Sequence, residues 1–195
     1  MLRTIIFCLA LASCAKISTK SIDVSQALKD EGSRMHQMNI ELVECVFNEK
    51  KHMVNEFIAN EYAPTIVENF IKRLPPDADI KREMPDIIAA INPKIDARRD
   101  SLLMALQSQK TLITKQLNTN YQAYENTFTV LQKILTSTSK PNNKKASMQD
   151  SLVKLRNNKI NLKGINNALD SFITSNGNIS DKTLVLTTTI QSFLK

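Results

Sequence analysis

Glycine is scarce in this chain, three residues in 195, and tryptophan is absent. Three glycines scattered at positions 32, 164 and 177 cannot build a phosphate-cradling loop. Aromatic residues make up only 5% of the chain, which points away from sheet and toward helix. Histidine occurs twice and cysteine three times, and no HExxH or GxSxG motif is present. Ser-x-x-Lys spacing recurs at Ser137–Lys140, Ser151–Lys154 and Ser192–Lys195, without a Ser-Asp-Asn or Lys-Thr-Gly companion. In a Ser- and Lys-rich chain that is chance spacing. No enzymatic activity, cofactor or metal site is expected.

What the chain does have is apolar periodicity. From Met84 to Leu135 the stripe runs Met84, Ile88, Ile91, Ile95, Leu102, Leu106, Ile113, Leu117, Tyr121, Tyr124, Phe128, Leu131 and Leu135. Steps of three and four give a period of about 3.6, one face of a straight α-helix. At about 1.5 Å per residue the stripe is roughly 75 Å long. Rows eleven residues apart (Met84, Ile95, Leu106, Leu117, Phe128) argue against a long left-handed coiled coil. Arg99 and Lys110 interrupt it. Either their stems cover the core edge while the charges reach water, or each pairs with a first-helix carboxylate such as Glu44, Glu49 or Glu56.

A first amphipathic pattern runs from Ile22-Asp23 toward Tyr62, with Leu28, Met35, Met38, Leu42, Val46, Met53, Phe57 and Ile58 on its expected core face. Gly32 inside it costs about 1 kcal/mol of helix propensity. Pro64 should bend or restart the helix, and Pro75-Pro76 should reverse the chain. Pro85 and Pro93 suit first-turn positions, so a kink is expected near Asn92 and an unbroken helix over about 93–137. A third helix is expected from Ala146 to Thr174, with Met148, Leu155, Leu162 and Leu169 seven apart. Asn176-Gly177-Asn178 is a turn, and Ser180 or Asp181 caps a last short helix. The β-branched run Thr183–Thr189 would make a lone strand with no partner. The fold class is therefore all-α: an elongated antiparallel three-helix bundle with a short C-terminal helix, as one domain over 22–195.

Charge is unevenly placed. Residues 21–100 carry 11 basic against 15 acidic groups, and residues 101–195 carry 12 against 4. Either an acidic helix packs beside basic ones, or the basic distal half meets anionic lipid, glycan or an acidic partner. Met35, His36, Met38, Cys45, His52 and Met53 gather soft-metal ligand types. Seven residues rise about 10 Å along a helix, too far for ligands of one ion. Met35, Met38 and Cys45 are read as core-facing, and His36 and His52 as surface or boundary residues. Tyr121, Tyr124 and Phe128, in the basic half of the central stripe, are candidate partner contacts.

The N-terminus sets the compartment. Arg3 precedes the apolar run Ile5–Leu11, too short to span a bilayer. Leu11-Ala12-Ser13-Cys14 then resembles the lipobox of bacterial lipoprotein precursors. The resemblance covers about fourteen residues and implies cleavage after Ser13, a lipidated Cys14 at the new N-terminus and a tether to Ser21. Ala15, where an Asp would retain such a protein at the inner membrane, implies the outer membrane. Cys45 is the one thiol left after lipidation, free or bridged to another chain. The expected role is a lipid-anchored envelope protein whose helices bind an envelope protein or an anionic envelope component, with no nucleic acid. The alternatives are a periplasm-facing carrier of a lipid or other apolar ligand, and a toxin, immunity or lysis accessory.

Overall fold

A computed structural model describes residues 19–136 and 160–194. The protein is all-α. The elements are α1 (Thr19–Phe57), a π-helical turn (Ile58–Tyr62), α2 (Ala63–Ile71), α3 (Ile80–Thr136), α4 (Leu162–Ile173) and α5 (Ile179–Phe193). The lipobox with Cys14, and the part of the expected third helix before Ile160, lie outside the described residues.

Local chemistry explains most of the boundaries. The π turn lies directly before Pro64, and its wider ring closes with the Ala63 N–H donating to the Ile58 carbonyl. Pro64 then falls in the first turn of α2, where its missing N–H costs nothing. At the expected reversal, the Ala78 N–H donates to the Pro75 carbonyl at 3.1 Å, and Asp79 Oδ1 accepts from the Arg82 N–H at 3.2 Å to open α3. α3 is longer than the sequence suggested. It begins at Ile80 rather than near residue 93 and runs through both Pro85 and Pro93 without a break. Both prolines are exposed, as are Lys81 and Ala89, the residues whose carbonyls lose a donor. Water on that face can satisfy those carbonyls, so the helix continues.

The third helix is corrected as well. Ile160 and Asn161 are non-helical, and α4 starts at Leu162 with the Asn161 side chain accepting from the Gly164 N–H at 2.9 Å. The following turn is as read, with Gly177 at φ 115°, a conformation that suits glycine. The cap of α5 is Asn178, which accepts from the Ser180 N–H at 2.9 Å, rather than Ser180 or Asp181.

The chain divides into two compact units, Met1–Gln37 with Thr119–Asn157 and Met38–Asn118 with Asn158–Lys195. The second unit holds the hydrophobic core. Val43, Phe47, Val54, Phe57 and Ile58 face Ile91, Ile95, Leu102, Leu106, Ile113 and Leu117 of α3, and Ile165, Leu169, Ile173 and Ile190 close it from α4 and α5. The α3 stripe was read correctly here, apart from Ile88, which is exposed while Ile87 is buried. The face of the first amphipathic pattern was misread in part: Phe57 and Ile58 are buried as read, and Val46 and Met53 are half-buried. Leu28, Met35, Met38 and Leu42 are exposed, and the buried row is Val43, Phe47, Lys50 and Val54.

Candidate functional site

In the first unit the candidate residues form a row along α3 whose faces meet α1. Tyr121 stacks on His36, ring centroids 4.3 Å apart and 6° from parallel. Its hydroxyl donates to Glu125 Oε1 at 3.1 Å. Tyr124 lies over Gly32, where an added Cβ would fall inside the phenol ring. The Tyr124 hydroxyl donates to the Leu28 carbonyl at 2.5 Å, and Phe128 packs on its ring at 4.5 Å. Burial, then the neighbouring Tyr121 and Glu31, push the Tyr124 hydroxyl above its ordinary pKa. All three aromatics remain half-buried. One turn further on, Gln132 Nε2 donates to Gln26 Oε1 at 2.9 Å. The row thus carries intrachain contacts while each of its three aromatic residues stays half-buried.

The second unit holds the polar chemistry that sequence reading missed. Lys50, 2% exposed, places its ammonium 2.6 Å from Asp170 Oδ1 and 3.6 Å from Met53 Sδ. Asn166 Nδ2 donates to the other Asp170 oxygen at 3.1 Å. Gln109, also 2% exposed, donates from Nε2 to Thr187 Oγ1 at 2.8 Å. Arg98 donates to the Ser175 carbonyl at 2.7 Å and the Gly177 carbonyl at 2.9 Å, and its guanidinium lies 5.5 Å from the Tyr62 ring centre. The two stripe interruptions resolve differently. Lys110 pairs with Glu44 at 2.5 Å, as one reading held, whereas Arg99 pairs with Asp96 on its own helix at 2.7 Å. No periodicity signals Lys50, because its partner lies 120 residues away.

The soft-ligand residues are not gathered. Met35, Met38, Cys45 and His52 are exposed and His36 is half-buried against Tyr121, and His52 instead pairs with Glu56 at 3.2 Å. The core-facing reading of Met35, Met38 and Cys45 is therefore corrected: their positions on α1 lie away from the Val43–Phe47–Val54 row. Among the described residues no group of three or more His, Cys, Asp and Glu side chains is placed to hold a metal ion, and no helix is long and apolar enough to cross a membrane. Between α4 and α5 lies an open groove of about 430 Å³. Ala168, Phe172, Val185 and Leu186 give it an apolar lining, with Asp181 and Lys182 among its polar residues. Comparison with protein-family models, with curated proteins and with solved structures found no match to this chain.

Proposed function

We propose that this chain is a lipid-anchored bacterial envelope protein whose helices serve as a non-catalytic scaffold for an envelope partner. The observation that carries the reading is Leu11-Ala12-Ser13-Cys14 behind a short basic and apolar leader. Two or three acyl chains on Cys14 would hold the protein at a membrane where one chain holds only marginally. Ala15 after the modified cysteine favours the outer membrane. Long continuous helices such as α1 and α3 suit a scaffold because they present extended surface without a reaction cleft. The half-buried row Tyr121, Tyr124 and Phe128 is the proposed contact. Cys14→Ala should abolish palmitate incorporation and move the protein from the membrane to the soluble fraction. Unchanged labelling and fractionation would overturn the anchor.

The groove between α4 and α5 favours a second reading, carriage of an apolar ligand. Its volume and apolar lining are of the scale that small-molecule sites use. Native mass spectrometry separates the two: a co-purified small molecule supports carriage, and bare protein supports the scaffold.

A further inference from the structure

The two C-terminal helices are joined to each other at both ends. The Asn161 N–H donates to the Phe193 carbonyl at 3.0 Å, and residues 174–178 close the other end as a tight turn. Their attachment to the rest of the second unit is of a different kind. Beneath the apolar contacts of Ile165, Leu169, Ile173 and Ile190 run three polar ties. These are Lys50 to Asp170, Gln109 to Thr187, and Arg98 to the turn carbonyls. Lys50 and Gln109 are each 2% exposed. Gln109 Oε1 and Arg98 Nε are buried with no hydrogen-bond partner among the described residues.

A dry apolar interface is lost only at the full cost of exposing its surface. Here separation also returns an ammonium, an amide and a guanidinium to water, and the unpartnered atoms of Gln109 and Arg98 regain partners. The Lys50–Asp170 pair is buried on the lysine side only, the Asp170 side chain being 38% exposed, and a pair that desolvates its ammonium favours position and register more than net stability. Opening at this interface, with three polar ties, is therefore easier than opening between α1 and α3 in the same unit, where Lys110–Glu44 is the polar tie described beside the apolar contacts Phe57, Ile91, Ile95 and Leu102. We propose that α4 and α5 form a latch that leaves α1 and α3 as one piece, with the Lys50–Asp170 pair as its catch. Opening uncovers an apolar strip. Val43, Phe47 and Ile113 share a void of about 40 Å³ with Leu162 and Ile165, and they become a surface once the latch lifts. Lys50 lies three residues from Phe47 on the same helix, with Glu49 Oε1 4.0 Å from its ammonium.

Native-state hydrogen exchange on the full chain in low guanidinium, read by mass spectrometry, tests the latch. Residues 165–173 should exchange about tenfold or more faster than residues 102–113 of α3, with a weaker denaturant dependence. Ile87→Ala removes a buried side chain eleven residues before Arg98, so it weakens the unit without touching the latch. It should speed exchange in α3 and leave residues 165–173 unchanged. Asp170→Asn removes the nearer carboxylate and leaves the buried Lys50 ammonium only Glu49 at 4.0 Å, and should speed residues 165–173 about a hundredfold. A common rate for α3 and α4 in the wild type, or Ile87→Ala accelerating both together, overturns the separable latch. Unchanged exchange of residues 165–173 in Asp170→Asn overturns Lys50–Asp170 as its catch.

Discussion

At the scale of single residues, Gly32 shows how a cost in one term serves another. In a helix interior glycine is about 1 kcal/mol worse than alanine. Yet Tyr124 occupies the space of the missing Cβ and donates to Leu28 four residues earlier on the same helix. Gly32→Ala should therefore destabilise the protein by about 1 kcal/mol despite its better propensity, because the ring must move and release its hydrogen bond. In the Tyr124→Ala background the same substitution should stabilise instead. Urea midpoints of the two single variants and the double variant give the coupling. The hydroxyl itself makes an alkaline prediction. Its folded pKa is raised, so its contribution to stability is present below the ordinary value of 10.0 and is lost as pH rises through the folded value. Absorbance titration should show a tyrosine ionisation above the ordinary value, and Tyr124→Phe should remove that step. The pairing of Gly32 with Tyr124 was not legible in the sequence, which shows the glycine and the tyrosine but not their register across two helices. Cys45 was misjudged for a related reason: it sits at helical spacing from Met38, but that face of α1 is open to solvent.

Elements were more legible than faces. The α3 stripe from Ile91 to Leu117 could be read because it is long, apolar and unbroken except at residues that pair or reach the edge. α1 could not, because its buried row contains Lys50, whose charge is compensated by Asp170. Periodicity ranked the apolar but exposed Met35, Met38 and Leu42 above a row containing a lysine. Helix ends were legible where a side chain caps locally, and the cap was then misplaced by two or three residues, as at Asn178. The start of α3 was misread because Pro85 and Pro93 were taken as first-turn residues with a kink near Asn92, whereas an exposed carbonyl in a helix interior can be satisfied by water. That account makes Pro93 a costly residue in an exposed helix interior. Pro93→Ala restores a donor for the Ala89 carbonyl and should raise stability by about 2 kcal/mol, less a few tenths for the greater freedom of the unfolded chain. Chemical denaturation checks the gain. A fall in stability would mean that α3 depends on the geometry proline imposes.

For the whole molecule, the charge asymmetry has two outlets. Part of it is internal: Lys110 meets Glu44 at 2.5 Å, a base of the distal half on an acid of the proximal half. By sequence the distal half still carries 12 basic against 4 acidic groups, an excess of positive charge on that half. In the proposed setting that charge acts together with the acyl chains. Each buried methylene adds about 0.8 kcal/mol of membrane affinity, and each basic group near an anionic surface adds about 1 kcal/mol at most, decaying within about 8 Å at physiological ionic strength. The two contributions separate experimentally. Cys14→Ala should leave only the electrostatic part, so binding to vesicles containing anionic lipid should be weak and should vanish as salt rises from about 50 mM to about 500 mM. Wild type should stay bound throughout, and its helical circular dichroism should match that of the variant. Salt-resistant binding of Cys14→Ala would show that the helices themselves hold an apolar membrane contact, and the acyl anchor would then no longer be needed to explain the membrane location.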